Sequence, residues 1–140
     1  MKIGDLATAA TTPVDTIRYY EREGLLPAPA RTAANYRQYE QAHLERLLFI
    51  RNCRSLDLSL AEVRELLAVR DAPGDDCGVA SRVLDGHIEH VVRRIHELRA
   101  LEQQLHELRA RCGKDQPAAA CGILDGLASG RCAPTVPAAQ

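Results

Sequence analysis

The sequence predicts a mainly all-α chain, and three observations carry that prediction. Apolar residues recur at helical spacing in four short segments before residue 70, and a longer segment repeats Leu or Val every seven residues from Leu84 to Leu105. Aromatic residues are scarce, with no Trp, one Phe and four Tyr in 140 residues, so Leu, Ile, Val and Ala on helix faces must build the core. Apolar residues at 46% and charged residues at 26% place the chain among folded globular domains and exclude a disordered one. The longest aliphatic or aromatic run, Leu47 to Ile50, falls far short of the roughly 20 apolar residues of a membrane span. Residues 1 to 10 lack the apolar stretch and cleavage site of a signal peptide, so a cytoplasmic location is expected, with no membrane partner.

Ile3, Leu6, Ala7 and Ala10 mark a first short helix over residues 2 to 10. Thr11-Thr12-Pro13 ends it and starts a second, with Pro13 at the first helical position. This second helix runs to about Glu23, where Gly24 stops it. Two short helices joined by a tight turn form a helix-turn-helix, whose second helix is the one that enters a DNA major groove. Residues 29 to 39 alternate Arg and Tyr after a polar turn and suggest a hairpin or wing. A third helix is expected over 41 to 55, and a fourth from the N-cap Ser59, with Glu62 three residues on, to about Ala68. Residues 1–70 therefore read as a winged helix-turn-helix DNA-binding domain with supporting helices. Net charge is only −1, but Arg31, Arg37, Arg51 and Arg54 lie in a stretch whose acids are Glu40 and Glu45 alone.

Residues 71–79 hold Pro, Gly and Asp and read as a linker. Over 80–111, Leu84, Val91, Leu98 and Leu105 form a heptad spine, with Ile88 and Ile95 flanking it first and Leu101 and Leu108 later. This is a coiled-coil seam with one adjustment, and a lone helix exposing it would be unstable in water. A second copy of the same helix is the expected partner, which makes the chain a homodimer.

Five cysteines in a reducing compartment point to thiol or metal chemistry rather than to disulfides. Cys77 precedes the long helix and Cys112 follows it, a separation of roughly 45–50 Å at 1.5 Å per residue. One chain cannot join them, whereas an antiparallel dimer places Cys77 of one copy beside Cys112 of the other. Cys121 closes an eight-residue loop after Cys112, so three thiolates gather at each end, a set suited to a soft or borderline divalent ion. Residues 112–127 thus read as a metal-binding loop and short helix, and 128–140 as a flexible tail. Cys53 reads as a small buried apolar residue. His87 and His90 could pair across a helical turn as a second metal site, against the commoner solvated histidine.

The run MKIGDLATAATTPVDTIRYYEREGLLPAPAR, followed by NYRQY and HLERLLFIRNCRSLDLSLAEVRELL, resembles the DNA-binding half of MerR-type transcription regulators. DDCG, HIEHVVRRIHELRALEQQLHELRARC and CGILDGL are similar to their cadmium- and lead-responsive branch. The resemblance spans about residues 1 to 127 and implies a dimer on double-stranded operator DNA. Metal binding would twist and bend that DNA until RNA polymerase engages both promoter elements, which activates a metal-resistance promoter. It implies DNA contacts from Thr16, Arg18, Tyr19, Tyr20, Arg31, Tyr36, Arg37 and Arg54, and a metal site of Cys77, Cys112 and Cys121. The effector is then Cd(II) or Pb(II), with Hg(II) or Zn(II) as the alternatives. Copper-responsive relatives carry Ser where this chain has Cys77, which argues against a monovalent ion. The spacing from Cys112 to Cys121 matches mercury and lead sensors.

Other function classes fit less well. An iron-sulfur redox sensor needs four clustered cysteines, and a drug-sensing relative needs a sizeable C-terminal domain. A metal-storage protein leaves the Arg and Tyr positions unexplained. An enzyme is not expected, because no nucleophile, base and orienting residue are grouped.

Overall fold

Helix α1 (Ile3–Ala10) opens the chain in the computed structural model, which describes residues 1–72, 74, 77–112, 117–118 and 121–130. The Asp5 carboxylate accepts the N–H of Lys2 at 3.2 Å and lays negative charge on the positive end of the helix. Thr11 ends α1 in the left-handed region at φ 50°, and the N–H groups of Thr11 and Thr12 return to the carbonyls of Thr8 and Ala7. The chain thereby reverses within three residues into α2 (Val14–Arg22). Pro13 flanks α2 instead of occupying its first helical position, because its ψ of 147° is extended. Gly24, at φ 73°, stops α2 as expected.

The wing is a two-stranded antiparallel hairpin, β1 (Ala30–Arg31) and β2 (Arg37–Gln38), with Arg31 opposite Arg37. Asn35 takes the left-handed position in its turn at φ 66°, and the Thr32 N–H donates to the Tyr36 carbonyl at 2.7 Å. Helices α3 (Gln41–Ser55) and α4 (Leu60–Asp71) support this pair. At the start of α4 the Ser59 hydroxyl accepts the Glu62 N–H at 3.1 Å, and the Glu62 carboxylate accepts the Ser59 N–H at 2.9 Å. The helix continues past the expected Ala68 to Asp71, where Arg46 of α3 pairs with the Asp71 carboxylate at 2.8 Å. Pro73 lies two residues beyond this end, the local stop signal that fits a helix reaching Asp71.

α1 packs on α2 and α3, and α3 on α4. Leu6, Ile17, Leu25, Leu26, Leu47, Ile50, Leu58 and Val63 are fully buried between them. Tyr20 and Tyr39 join this core, and so does Cys53, whose thiol burial pushes up in pKa. Helix α5 (Gly78–Ala110) follows as 33 continuous residues, about 50 Å by rise per residue. The stretch between α4 and α5 is thus shorter than the expected linker. The first compact unit extends to Leu84, beyond the linker expected to close it. Ala80 and Leu84 line an apolar cleft of about 490 Å³ with Phe49, Cys53, Leu58 and Leu66, which ties the start of α5 to α3 and α4.

The second unit, from Asp85 onward, contains the rest of α5 and helix α6 (Gly122–Ser129), which Gly130 ends at φ 71°. α6 runs two residues past the expected boundary at 127. Along α5, Leu84, Ile88, Val91, Ile95, Leu98 and Leu105 stay between 40% and 58% exposed, so the heptad stripe is uncovered in the single chain. Most of the loop between Cys112 and Cys121, and the tail from 131 with Cys132, lie outside the described residues. Among the described residues no helix is long and apolar enough to cross a membrane.

Candidate nucleic-acid interface and metal centre

Four of the expected DNA contacts come together in the first unit. Thr16, Tyr19 and Tyr20 of α2 line a groove of about 360 Å³ with Asp15, Leu60 and Arg54 of α3. The helical period explains the assembly. Ile17 and Tyr20 turn into the core, which leaves Thr16 and Tyr19 outward. Tyr20 is mainly a core residue and meets the groove at its edge. Arg54 donates to the Leu58 carbonyl at 2.6 Å, which fixes its guanidinium beside the groove. Arg18 is exposed on α2, and the Arg22 guanidinium sits 6.0 Å from the Tyr19 ring centroid.

The remaining three lie on the wing. Arg31 donates to the Asn35 carbonyl at 3.2 Å and so bridges the hairpin turn. Tyr36 is 63% exposed at the tip, with the Lys2 ammonium 5.6 Å from its ring centroid. Arg37 pairs with Glu21 of α2 at 3.1 Å. The same Glu21 carboxylate accepts the Tyr39 hydroxyl, whose pKa burial and this bond raise above its ordinary value. Tyr39 also exchanges backbone hydrogen bonds with Met1, at 2.7 and 2.8 Å. Glu21 therefore fastens the wing to α2 through Arg37 and Tyr39, and Met1 fastens it through Tyr39 to the start of α1. The sequence reading missed Glu21, Tyr39 and Met1, because nothing in the local pattern links position 21 to 37 and 39.

In the second unit Cys112 follows the last turn of α5 and Cys121 flanks the start of α6. The Cys112 side chain is near enough to Cys121 to help lower its thiol pKa. Cys121 is the N-cap of α6, where the backbone N–H groups of Leu124 and Ile123 lie in the first turn. Their positive field holds its thiol pKa below the usual value, and the Cys112 side chain and the Arg109 charge add to the effect. Cys112 and Cys121 are partly exposed as residues, whereas Cys77, just before α5, is exposed. Two neighbouring thiols, one with a lowered pKa, fit a thiophilic cation, because the thiolate is the ligand. Among the described residues no three His, Cys, Asp or Glu side chains gather in one chain. The rings of His87 and His90 stack at 6.2 Å on α5.

Comparison with known proteins agrees with this architecture. Residues 1–69 match the model of the MerR HTH family regulatory proteins, and residues 44–108 match the model described as MerR, DNA binding. A relative from Haemophilus influenzae, named as a homologue of the HTH-type transcriptional regulator ZntR, is 53% identical over 78% of this chain and 81% of its own length. The mercuric resistance operon regulatory protein of Bacillus cereus is 36% identical over 90% of this chain and 96% of its own. The crystal structure of the transcription regulator PbrR691 from Ralstonia metallidurans CH34 in complex with lead(II) superposes with a TM-score of 0.83 at 48% identity, covering 91% of this chain and 98% of that one. Family models over residues 1–69 and 44–108, a relative 53% identical and a superposable regulator structure agree, and the chain belongs to the MerR family of helix-turn-helix regulatory proteins.

Proposed function

We propose that this chain is a cytoplasmic homodimeric regulator that senses Cd(II) or Pb(II) and activates a metal-resistance promoter by distorting operator DNA for RNA polymerase. The observation that carries the metal reading is the Cys112–Cys121 pair with its lowered Cys121 pKa. Cys77 of the other copy supplies the third thiolate. The uncovered apolar stripe on α5 supports the dimer, since burying it against a second copy removes its apolar surface from water. Similarity to a regulator solved with lead(II) supports the ion class, and similarity to a mercuric regulator favours Hg(II) as the second reading.

Three thiolates leave a divalent site at −1, whereas a monovalent ion would leave it at −2, which is costlier to bury. Thiolates also select against Mg(II) and Ca(II), which take oxygen ligands. The test is competitive titration of the reduced dimer with lead, cadmium, mercury and zinc, followed by sulfur-to-metal absorption and by transcription in vitro. Lead or cadmium should saturate at one ion per chain and raise transcription. Mercury alone doing so would favour the second reading, and failure of all four would end the proposal.

On the DNA side, Thr16, Arg18, Tyr19 and Arg54 would meet one stretch of the duplex, and Arg31, Tyr36 and Arg37 the flanking backbone, while Tyr20 supports α2 from the core. Cationic and hydroxyl donors position the protein on phosphates, and bending the duplex costs several kcal/mol that such contacts must offset. Arg18→Ala should weaken operator binding about tenfold with and without metal, and lower the salt slope by about one. Gel-shift titrations at several salt concentrations measure both, and an unchanged affinity removes Arg18 from the interface.

A further inference from the structure

We infer that Gly122 is the positioning residue that holds the Cys112 and Cys121 thiols together, because its missing side chain lets the first turn of α6 lie on the backbone of Arg111. A Cβ built on Gly122 would stand 2.6 Å from the Arg111 carbonyl oxygen, 2.9 Å from its Cβ and 3.2 Å from its carbonyl carbon. Two of these three obstacles are backbone, so no rotamer change relieves the overlap. Cβ atoms at Gly4, Gly24, Gly86 and Gly130 would meet nothing within 4 Å. Gly122 is helical, so what it provides is space and not a left-handed backbone.

The position of this contact in the chain gives it its effect. Arg111 and Gly122 close a segment whose first and last residues are Cys112 and Cys121. Any separation of 111 from 122 therefore separates the two thiols. Relieving the overlap to an ordinary 3.0 Å or more requires a shift of at least 0.4 Å. Both ends of the segment must give way, which loosens the placement of the two thiols, so an alanine weakens the pair as a preorganised ligand set. Alanine also favours helix over glycine. A purely local effect on α6 would thus strengthen the helix, opposite to the loss inferred here.

The inference rests on reading the pair as metal ligands, so its test begins without metal. The full-length chain carrying Cys77→Ser and Cys132→Ser, with Cys53 buried, leaves the pair as its accessible thiols. Phenylarsine oxide bridges two thiols only when both are within reach, while iodoacetamide alkylates them singly. Gly122→Ala should slow arsenical capture about tenfold or more and leave alkylation within about twofold, because the second capture step depends on local thiol concentration. In an otherwise unmodified chain the same substitution should weaken the sulfur-to-metal absorption of cadmium about tenfold. Gly86→Ala should change neither readout, and retained operator binding reports a folded first unit. Arsenical capture by Gly122→Ala at the parent rate would overturn the inference. Fast capture in the parent that Gly122→Ala slows, with no metal-dependent transcription from the unmodified chain, would sustain the inference and sink the sensing role.

Discussion

A promoter reporter carrying Cys77→Ser is expected to lose induction by lead and cadmium, while the metal-free protein binds its operator within a few-fold of wild type. Removing one of three thiolates from the proposed site should cost about 100-fold or more in affinity, beyond what loss of an outer-shell partner typically costs. Serine keeps the size of the residue but not a soft, readily ionised ligand. Cys77 is exposed and stands apart from the groove of Thr16, Tyr19, Tyr20 and Arg54, so its loss should leave DNA binding intact. The reporter is read against lead, cadmium, zinc, mercury and copper for both proteins. Strong copper induction in the wild type, or full lead and cadmium induction in the variant, would show that the ion class and the third ligand are both wrong.

The second large effect concerns how the ligands are shared. Cys77→Ser and Cys112→Ser homodimers should each fail to bind lead at either end. Mixed heterodimers should recover one site, because both lesions then fall at the same end and the other end keeps all three thiolates. The reasoning starts from α5, whose 33 helical residues, about 50 Å long, separate Cys77 from Cys112 in one chain. Tagging the two variants differently, isolating the heterodimer and counting bound lead gives the answer. Folded heterodimers without lead would exclude ligands that cross the dimer. Recovery of one ion per heterodimer would support an antiparallel pairing of α5, because a parallel one would leave Cys77 at the far end from Cys112.

Much of this molecule is legible in its sequence, and the legible part has one cause: local signals act over a few residues. Pro13 and Gly24 bracket α2 to within one residue, Ser59 with Glu62 starts α4, and the heptad from Leu84 to Leu105 runs along a continuous α5. The family resemblance was legible for the same reason, since its motifs are contiguous. The tertiary structure decided what depends on residues distant in the chain. Arg46 pairs α3 with the end of α4 at Asp71, and Glu21 binds Arg37 and Tyr39 so that the wing and α2 are joined. Ala80 and Leu84 carry the first unit into α5 by lining one cleft with α3 and α4. Tyr20 turns from an expected surface contact into a core residue because the helical period sends it inward with Ile17. The spacing of Cys112 and Cys121 permits a thiol pair, but the close approach of Gly122 to Arg111 beside it is a tertiary contact that spacing does not announce. Periodicity and turn chemistry are properties of neighbours in the chain, whereas ion pairs and close backbone approaches exist only once the helices have packed.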